Sequence, residues 1–141
     1  MSASPFAAPA GDASQEEGTV LRPRFGPDGL VTAVAVDDAD GTVLMVAHMN
    51  AASLARTIET GEAWYWSRSR GALWRKGETS GQLQEVVEMR VDCDQDAVLL
   101  RVRVSGDGGC CHTGRRSCFY RVVPIKQGAV PALSLASATS R

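Results

Sequence analysis

The chain has 141 residues, 44% of them hydrophobic and 22% charged, with a formal net charge of −1. That length makes one domain able to bury a real core, and the near-neutral balance argues against a global field that recruits nucleic acid or an anionic membrane. No basic start followed by an apolar run and no membrane-spanning stretch is visible, so a cytoplasmic protein is expected, whose four cysteines suit metal binding better than disulfides.

Residues 1–18 are rich in Ala, Ser, Pro and Gly without periodicity and read as a disordered lead-in. Residues 19–125 form the expected domain, and 126–141 read as a flexible tail. Leu30 to Val36 predicts a strand, Asp38-Ala39-Asp40-Gly41 a turn, and Thr42 to Met49 a second strand, which together make a hairpin. Asn50 is a good N-cap and Gly61 a good terminator. Between them Ala51, Leu54, Ala55 and Ile58 fall at helical spacing. His48, just before, reads as a packed or hydrogen-bonded residue.

Ala63 to Ser67 predicts a strand with Trp64, Tyr65 and Trp66 in succession, at least one of them in the core. The clearest strands are Leu83 to Val91 and Ala97 to Val104. In the latter Val98, Leu100, Val102 and Val104 make one apolar face, and Arg101 and Arg103 the other. Gly106 to Ser117 reads as a loop and Cys118 to Ile125 as a last strand. The expected class is α+β, mostly antiparallel β with one short helix.

The chemistry concentrates in Asp92-Cys93-Asp94-Gln95-Asp96, answered by Cys111-His112-Thr113-Gly114 and Ser117-Cys118-Phe119. Crowded carboxylates repel, and a divalent cation relieves the repulsion. Carboxylates suit Mg²⁺ and thiolates suit Zn²⁺, so the interleaving suggests two metals. In an extended segment Asp92, Asp94 and Asp96 share one face and Cys93 points the other way. A thiolate site on Cys93 must then recruit ligands from elsewhere, with Cys111 and Cys118 the candidates, and three thiolates would leave a fourth position for water. The bland alternatives are a solvated acidic turn and cysteines acting as small buried hydrophobes. Cys-His and Ser-Cys in a Gly-rich loop, where no core demands them, favour the functional one. Ser67-Arg68-Ser69-Arg70 and Lys76-Gly77-Glu78-Thr79-Ser80-Gly81 flank Leu73-Trp74 with the hydroxyls, Arg forks and Gly amides that a phosphate needs. The P-loop order is absent, and many surface loops look similar.

Taken in order, Val43-Leu44-Met45, Met49-Asn50, Ser67 to Arg70, Leu73 to Gly81, Asp92 to Asp96, Cys111 to Gly114 and Ser117 to Phe119 closely resemble the phosphoribosyl-AMP cyclohydrolase family of histidine biosynthesis. The likeness covers roughly residues 29–123. It implies an intertwined homodimer with active sites at the subunit interface, and a hydrolase that opens the adenine ring of 1-(5-phosphoribosyl)-AMP between N1 and C6. The product implied is the formimino-AICAR ribonucleotide intermediate. Carried over by position, the resemblance implies Mg²⁺ on Asp92, Asp94 and Asp96, and Zn²⁺ on Cys93 with Cys111 and Cys118 of the partner.

His112 is the candidate for proton transfer, because an imidazole exchanges protons near neutral pH. Arg68, Arg70, Lys76, Ser80 and Gly81 are the candidates for the two phosphates, and Trp74 for stacking on the base. The chain departs from the family pattern at His48, at Gln82 and at Gly109-Cys110. The extra thiol of Cys110 competes in principle with Cys111, which is favoured by its adjacency to His112. The rival classes are a non-catalytic zinc-binding module that contacts nucleic acid, and a thiol redox module prompted by Cys110-Cys111. Neither a basic face nor a Cys-x-x-Cys is present to support them.

Overall fold

A computed structural model describes residues 4–136 of the chain. Its centre is a four-stranded sheet in the order β2-β1-β6-β5, built from β1 (Val31–Asp37), β2 (Val43–Met49), β5 (Gln84–Val91) and β6 (Ala97–Val104). Two antiparallel hairpins, β1–β2 and β5–β6, are joined through a parallel pairing of β1 with β6. The antiparallel expectation therefore holds for both hairpins but not for the seam between them. A parallel seam requires the chain to travel back before pairing, and the segment from 50 to 83 makes that journey.

Alternation explains which face is buried. Val31, Ala33 and Ala35 of β1 lie on the same side as Val98, Leu100 and Val102 of β6, each at most 3% exposed. Leu44, Met45 and Met49 of β2 complete the layer. The opposite face carries ion pairs. Arg101 bridges Asp38 at 2.5 Å and Glu88 at 3.3 Å, and Arg103 reaches Glu85 at 3.1 Å. Such exposed pairs contribute little, about 0–1 kcal/mol each.

Helix α2 (Ala51–Thr60) starts where the sequence places it, and for the physical reason expected. The Asn50 side chain accepts from the Ser53 amide at 2.8 Å, and the Ser53 hydroxyl accepts from the Asn50 amide at 2.9 Å, a reciprocal capping box. Gly61 ends it with φ +74. Its buried face differs from the expectation. Leu54 is buried with Ser53 and Thr57, whereas Ile58 is half exposed. Thr57 can go inside because its hydroxyl donates to the Ser53 carbonyl at 2.8 Å and accepts from the Trp64 amide at 2.9 Å.

The helix packs on β3 (Trp64–Ser67), which pairs antiparallel with β4 (Ala72–Arg75), a strand not expected from the sequence. Of the three consecutive aromatics, Tyr65 is fully buried. Its hydroxyl donates to Gln84 Oε1 at 2.6 Å, and Gln84 Nε2 lies 3.2 Å from Cys110 Sγ and 3.3 Å from Met45 Sδ. This buried polar chain ties β3, β5, β2 and the Cys110 loop together.

Both ends of the chain correct the expected tails. The lead-in carries a helical turn, α1 (Ser14–Glu17), and Gln15 is buried. Phe6 stacks near Phe25 with ring centroids 6.5 Å apart, and both rest against the core. Composition misled here because the lead-in is held by the buried Gln15 and by Phe6 rather than by a periodic apolar stripe. The last strand is shorter than Cys118 to Ile125. Only β7 (Arg121–Val122) pairs, with β8 (Ser134–Leu135) inside the expected tail. Pro124 has no amide with which to continue a ladder. Residues 137–141 of that tail, and 1–3 of the lead-in, lie outside the described residues. Among the described residues no helix is long and apolar enough to cross a membrane.

Candidate active site and metal-binding residues

The acidic segment connects β5 to β6, and it is a turn rather than an extended strand. The alternating-face argument therefore fails for Asp92 to Asp96, yet the carboxylates still converge. One oxygen from each of Asp92, Asp94 and Asp96 lies within 4.8 Å of the others. The turn is closed by Asp92 itself, whose Oδ1 accepts from the amides of Asp96 at 3.0 Å and Ala97 at 3.2 Å. Gln95 adopts φ +64, a left-handed conformation costing an L-residue about 1–2 kcal/mol.

The charges in this cluster are in conflict. Proton sharing with Asp92 and with Asp94 lifts the Asp96 carboxyl to about 6. Partial burial acts to raise Asp92 as well, but hydrogen bonds from Asp96 and the Ala97 and Asp96 amides hold it below the ordinary value. Three hard oxygen donors whose ionisation is mutually opposed fit a divalent cation of the Mg²⁺ kind.

The second group sits on the long loop after β6. Cys111 turns back on itself, its amide bonded to the Arg115 carbonyl at 2.9 Å and its carbonyl accepting from Gly114 at 2.8 Å. Thr113 Oγ1 lies 3.1 Å from Cys111 Sγ. Partial burial pushes the Cys111 thiol up, but donors from Thr113 and from Cys118 outweigh it, and the net shift is downward. Partial desolvation and then the neighbouring Cys111 push the Cys118 thiol up to about 12, although the residue is exposed. Cys118 is anchored to the sheet edge, its amide donating to the Leu44 carbonyl at 2.7 Å. Two thiols that perturb each other's ionisation are half of the donor set of a tetrahedral thiolate site, which fits Zn²⁺.

Cys93 is exposed, and among the described residues no group of three metal donors within one chain joins it to Cys111 and Cys118. Cys110 is buried like Cys111, but its thiol is bonded to Gln84 inside the core cluster and pushed up first by burial. It belongs to the core.

A cavity of about 390 Å³ opens beside Cys111. Of the residues singled out from sequence, Arg70, Trp74, Lys76, Ser80, Cys111 and His112 line it. Arg68 does not. It faces a neighbouring cavity of about 510 Å³ with His48 and Trp66, and Trp74 forms a wall of both. Gly81 lies outside the lining, its carbonyl accepting from Ser105 at 2.7 Å.

The Trp74 ring is packed by Tyr65 at 5.4 Å between centroids, with Lys76 Nζ at 5.5 Å and the Arg70 guanidinium at 5.9 Å. Burial and then the Arg68 charge lower the His48 imidazole below its ordinary value.

Sequence reasoning missed Asp107 as a lining residue, named Glu78 and Thr79 only within the polar Lys76 to Gly81 segment, and saw Gln82 only as a departure. Asp107-Gly108-Gly109 was legible as a turn. Asp107 Oδ1 accepts from Gly109 at 2.8 Å, and Gln82 Oε1 accepts from Gly108 at 3.1 Å. Gly77 is required where the two walls meet. A Cβ there would fall 2.2 Å from the Gln82 carbonyl carbon, at φ +86.

These positions coincide with a family pattern. The family model for phosphoribosyl-AMP cyclohydrolase matches residues 45–120, which hold both cavities, the acidic turn and the Cys111 loop. The chain is 64% identical over 124 residues to a protein of Chelativorans sp. (strain BNC1), covering 87% of this chain and 89% of that one. It is 61% identical over 124 residues to one of Brucella anthropi, covering 88% of each. A protein of Mesorhizobium japonicum is 64% identical over 120 residues, covering 85% of this chain and 78% of its own length. All three are named phosphoribosyl-AMP cyclohydrolase. With the match spanning the sheet, the cavity walls, the acidic turn and the Cys111 loop alike, the chain belongs to the phosphoribosyl-AMP cyclohydrolase family.

Proposed function

We propose that the chain hydrolyses the N1–C6 bond of the adenine ring in 1-(5-phosphoribosyl)-AMP, yielding the formimino-AICAR ribonucleotide, in the cytoplasm. The observation that carries this reading is one cavity walled by Arg70, Lys76 and Ser80 on one side and by Cys111 and His112 on the other. Cations and a hydroxyl suit a phosphate. An imidazole beside a thiolate suits proton transfer at an activated water. The substrate carries two phosphates with the base between them. Arg68 in the adjoining cavity, across the Trp74 wall, supports holding the second.

Asp92, Asp94 and Asp96 would hold Mg²⁺, and Cys93, Cys111 and Cys118 would hold Zn²⁺. Bound zinc supplies Lewis acidity that makes water nucleophilic near neutral pH. His112 takes the proton from the water that adds at C6 and returns it to N1 as the N1–C6 bond breaks. Trp74 offers a flat face to the purine, while Lys76 and Arg70 offset phosphate charge.

The active unit is a homodimer in this reading. Among the described residues Cys93 forms no three-donor group with Cys111 and Cys118 within one chain, which supports a third thiolate supplied by the partner. Exposed Val43, Val46, Phe119, Val122, Val123 and Ile125 support such an assembly, since a lone soluble chain rarely leaves that much apolar surface in water. The test is an absorbance assay of ring opening on phosphoribosyl-AMP. Activity lost on chelation and restored by Zn²⁺ with Mg²⁺ is the expected result; turnover that survives full removal of zinc refutes the catalytic zinc.

A further inference from the structure

The acidic turn is not held by its own hairpin alone. Two glutamines 80 positions apart, Gln15 and Gln95, are 3% and 5% exposed, and each side chain bonds a backbone carbonyl in the other's segment. Gln15 Nε2 donates to the Asp94 carbonyl and to the Arg22 carbonyl, both at 2.9 Å, and its Oε1 accepts from the Ala10 amide at 2.8 Å. Gln95 Nε2 donates to the Gln15 carbonyl at 2.9 Å, and its Oε1 accepts from the Arg22 amide at 2.8 Å. The Gln95 carbonyl accepts from the Arg24 amide at 2.7 Å. Every polar atom of both side chains is thus engaged, and the Asp94 and Gln95 carbonyls are fastened to Gln15 and Arg24.

Two features of the turn need such fastening. Gln95 sits at φ +64, a conformation the chain does not adopt without compensation. The Asp92, Asp94 and Asp96 oxygens crowd within 4.8 Å, and their repulsion would splay the turn apart. Bonds from outside the hairpin oppose both tendencies, and they do so through side chains shielded from competing water.

We propose that residues 10–24 are a built-in clasp, and that buried Gln15 and Gln95 are positioning residues that hold the acidic turn in its converging shape ready for a divalent cation. The proposal rests on reading the three carboxylates as a cation site. It extends that site to a segment outside the family match, which begins at residue 45. Partners that orient metal ligands typically influence affinity by about 10- to 100-fold.

The test titrates the full zinc-loaded chain with Mn²⁺, counting free Mn²⁺ by electron paramagnetic resonance, and follows amide hydrogen exchange separately. Gln15→Leu keeps the bulk and removes the donors. Gln95→Gly removes the side chain while tolerating positive φ. Both are expected to weaken Mn²⁺ binding about 10-fold or more, to speed exchange at the Gln95 and Asp96 amides, and to leave zinc content unchanged. Unchanged exchange with Mn²⁺ bound as tightly as by the parent overturns the clasp alone. A parent chain that binds no Mn²⁺ overturns the cation reading, and with it the role proposed for the clasp.

Discussion

Lys76 Nζ donates to the Cys110 carbonyl at 2.5 Å, so the polar turn after β4 is fastened to the loop that carries Cys111 and His112. The two walls of the cavity are therefore one hydrogen-bonded unit. Removing this ammonium deletes a cation from the cavity proposed to take a phosphate and loosens the loop as well. Hydrogen bonds to charged groups are worth about 1.5–3 kcal/mol. For Lys76→Met the expected outcome is a fall in kcat/KM of about 10- to 100-fold, with faster amide exchange at Cys110 and Cys111. Steady-state kinetics with an exchange measurement checks both.

Tyr65→Phe is expected to destabilise the fold without touching the cavity lining. The Tyr65 hydroxyl is the donor to Gln84 Oε1, and Gln84 is 0% exposed, so no water replaces it. A buried acceptor left unsatisfied costs about 1–3 kcal/mol, to be read as a lower urea midpoint with an unchanged slope.

Asp92 and Asp94 should separate structure from cation binding. Asp92 Oδ1 closes the turn by accepting two backbone amides. Asp92→Asn retains an oxygen for those amides and is expected to lose Mg²⁺ affinity while keeping the fold. Asp92→Ala loses both, with a stability cost of about 0.5–1.5 kcal/mol per hydrogen bond. Asp94→Asn is expected to resemble Asp92→Asn. Calorimetric Mg²⁺ titration beside thermal unfolding distinguishes the three.

His112→Ala is expected to lower turnover by about 10²- to 10⁴-fold, the usual worth of general acid–base catalysis. Zinc content should remain at the parent level, because His112 lines the cavity without serving as a ligand in this reading. Unchanged turnover across the pH range would remove it from proton transfer.

Where one element carries its own signal, the sequence was read correctly. Asn50 and Gly61 bound α2, and the alternation of Val98, Leu100 and Val102 identifies the buried face of β6. The parallel seam of β1 with β6 had no such signal, since register between distant strands is decided by packing. Ile58 failed because Thr57 satisfies its hydroxyl and goes inside instead. Within the site the convergence of Asp92, Asp94 and Asp96 was legible in the sequence, but the shape of the acidic turn was not. Its curl depends on the left-handed Gln95 and on Gln15, a residue hidden in a segment whose composition suggests disorder. Arg68 and Arg70 looked equivalent in sequence; the β3–β4 hairpin, which places Trp74 between two cavities, sends them to different ones.

The account turns on thiolates gathered from two chains, and mixing two defective variants tests this most directly. Cys93→Ser and Cys118→Ser are each expected to lack catalytic zinc. Unfolded together and refolded as a mixture, half of the dimers should be hybrids, each restoring one intact site, so about a quarter of parental turnover and zinc should return. A mixture as inactive and zinc-free as its components would mean that Cys93 and Cys118 do not meet across subunits, and the proposed site would be wrong.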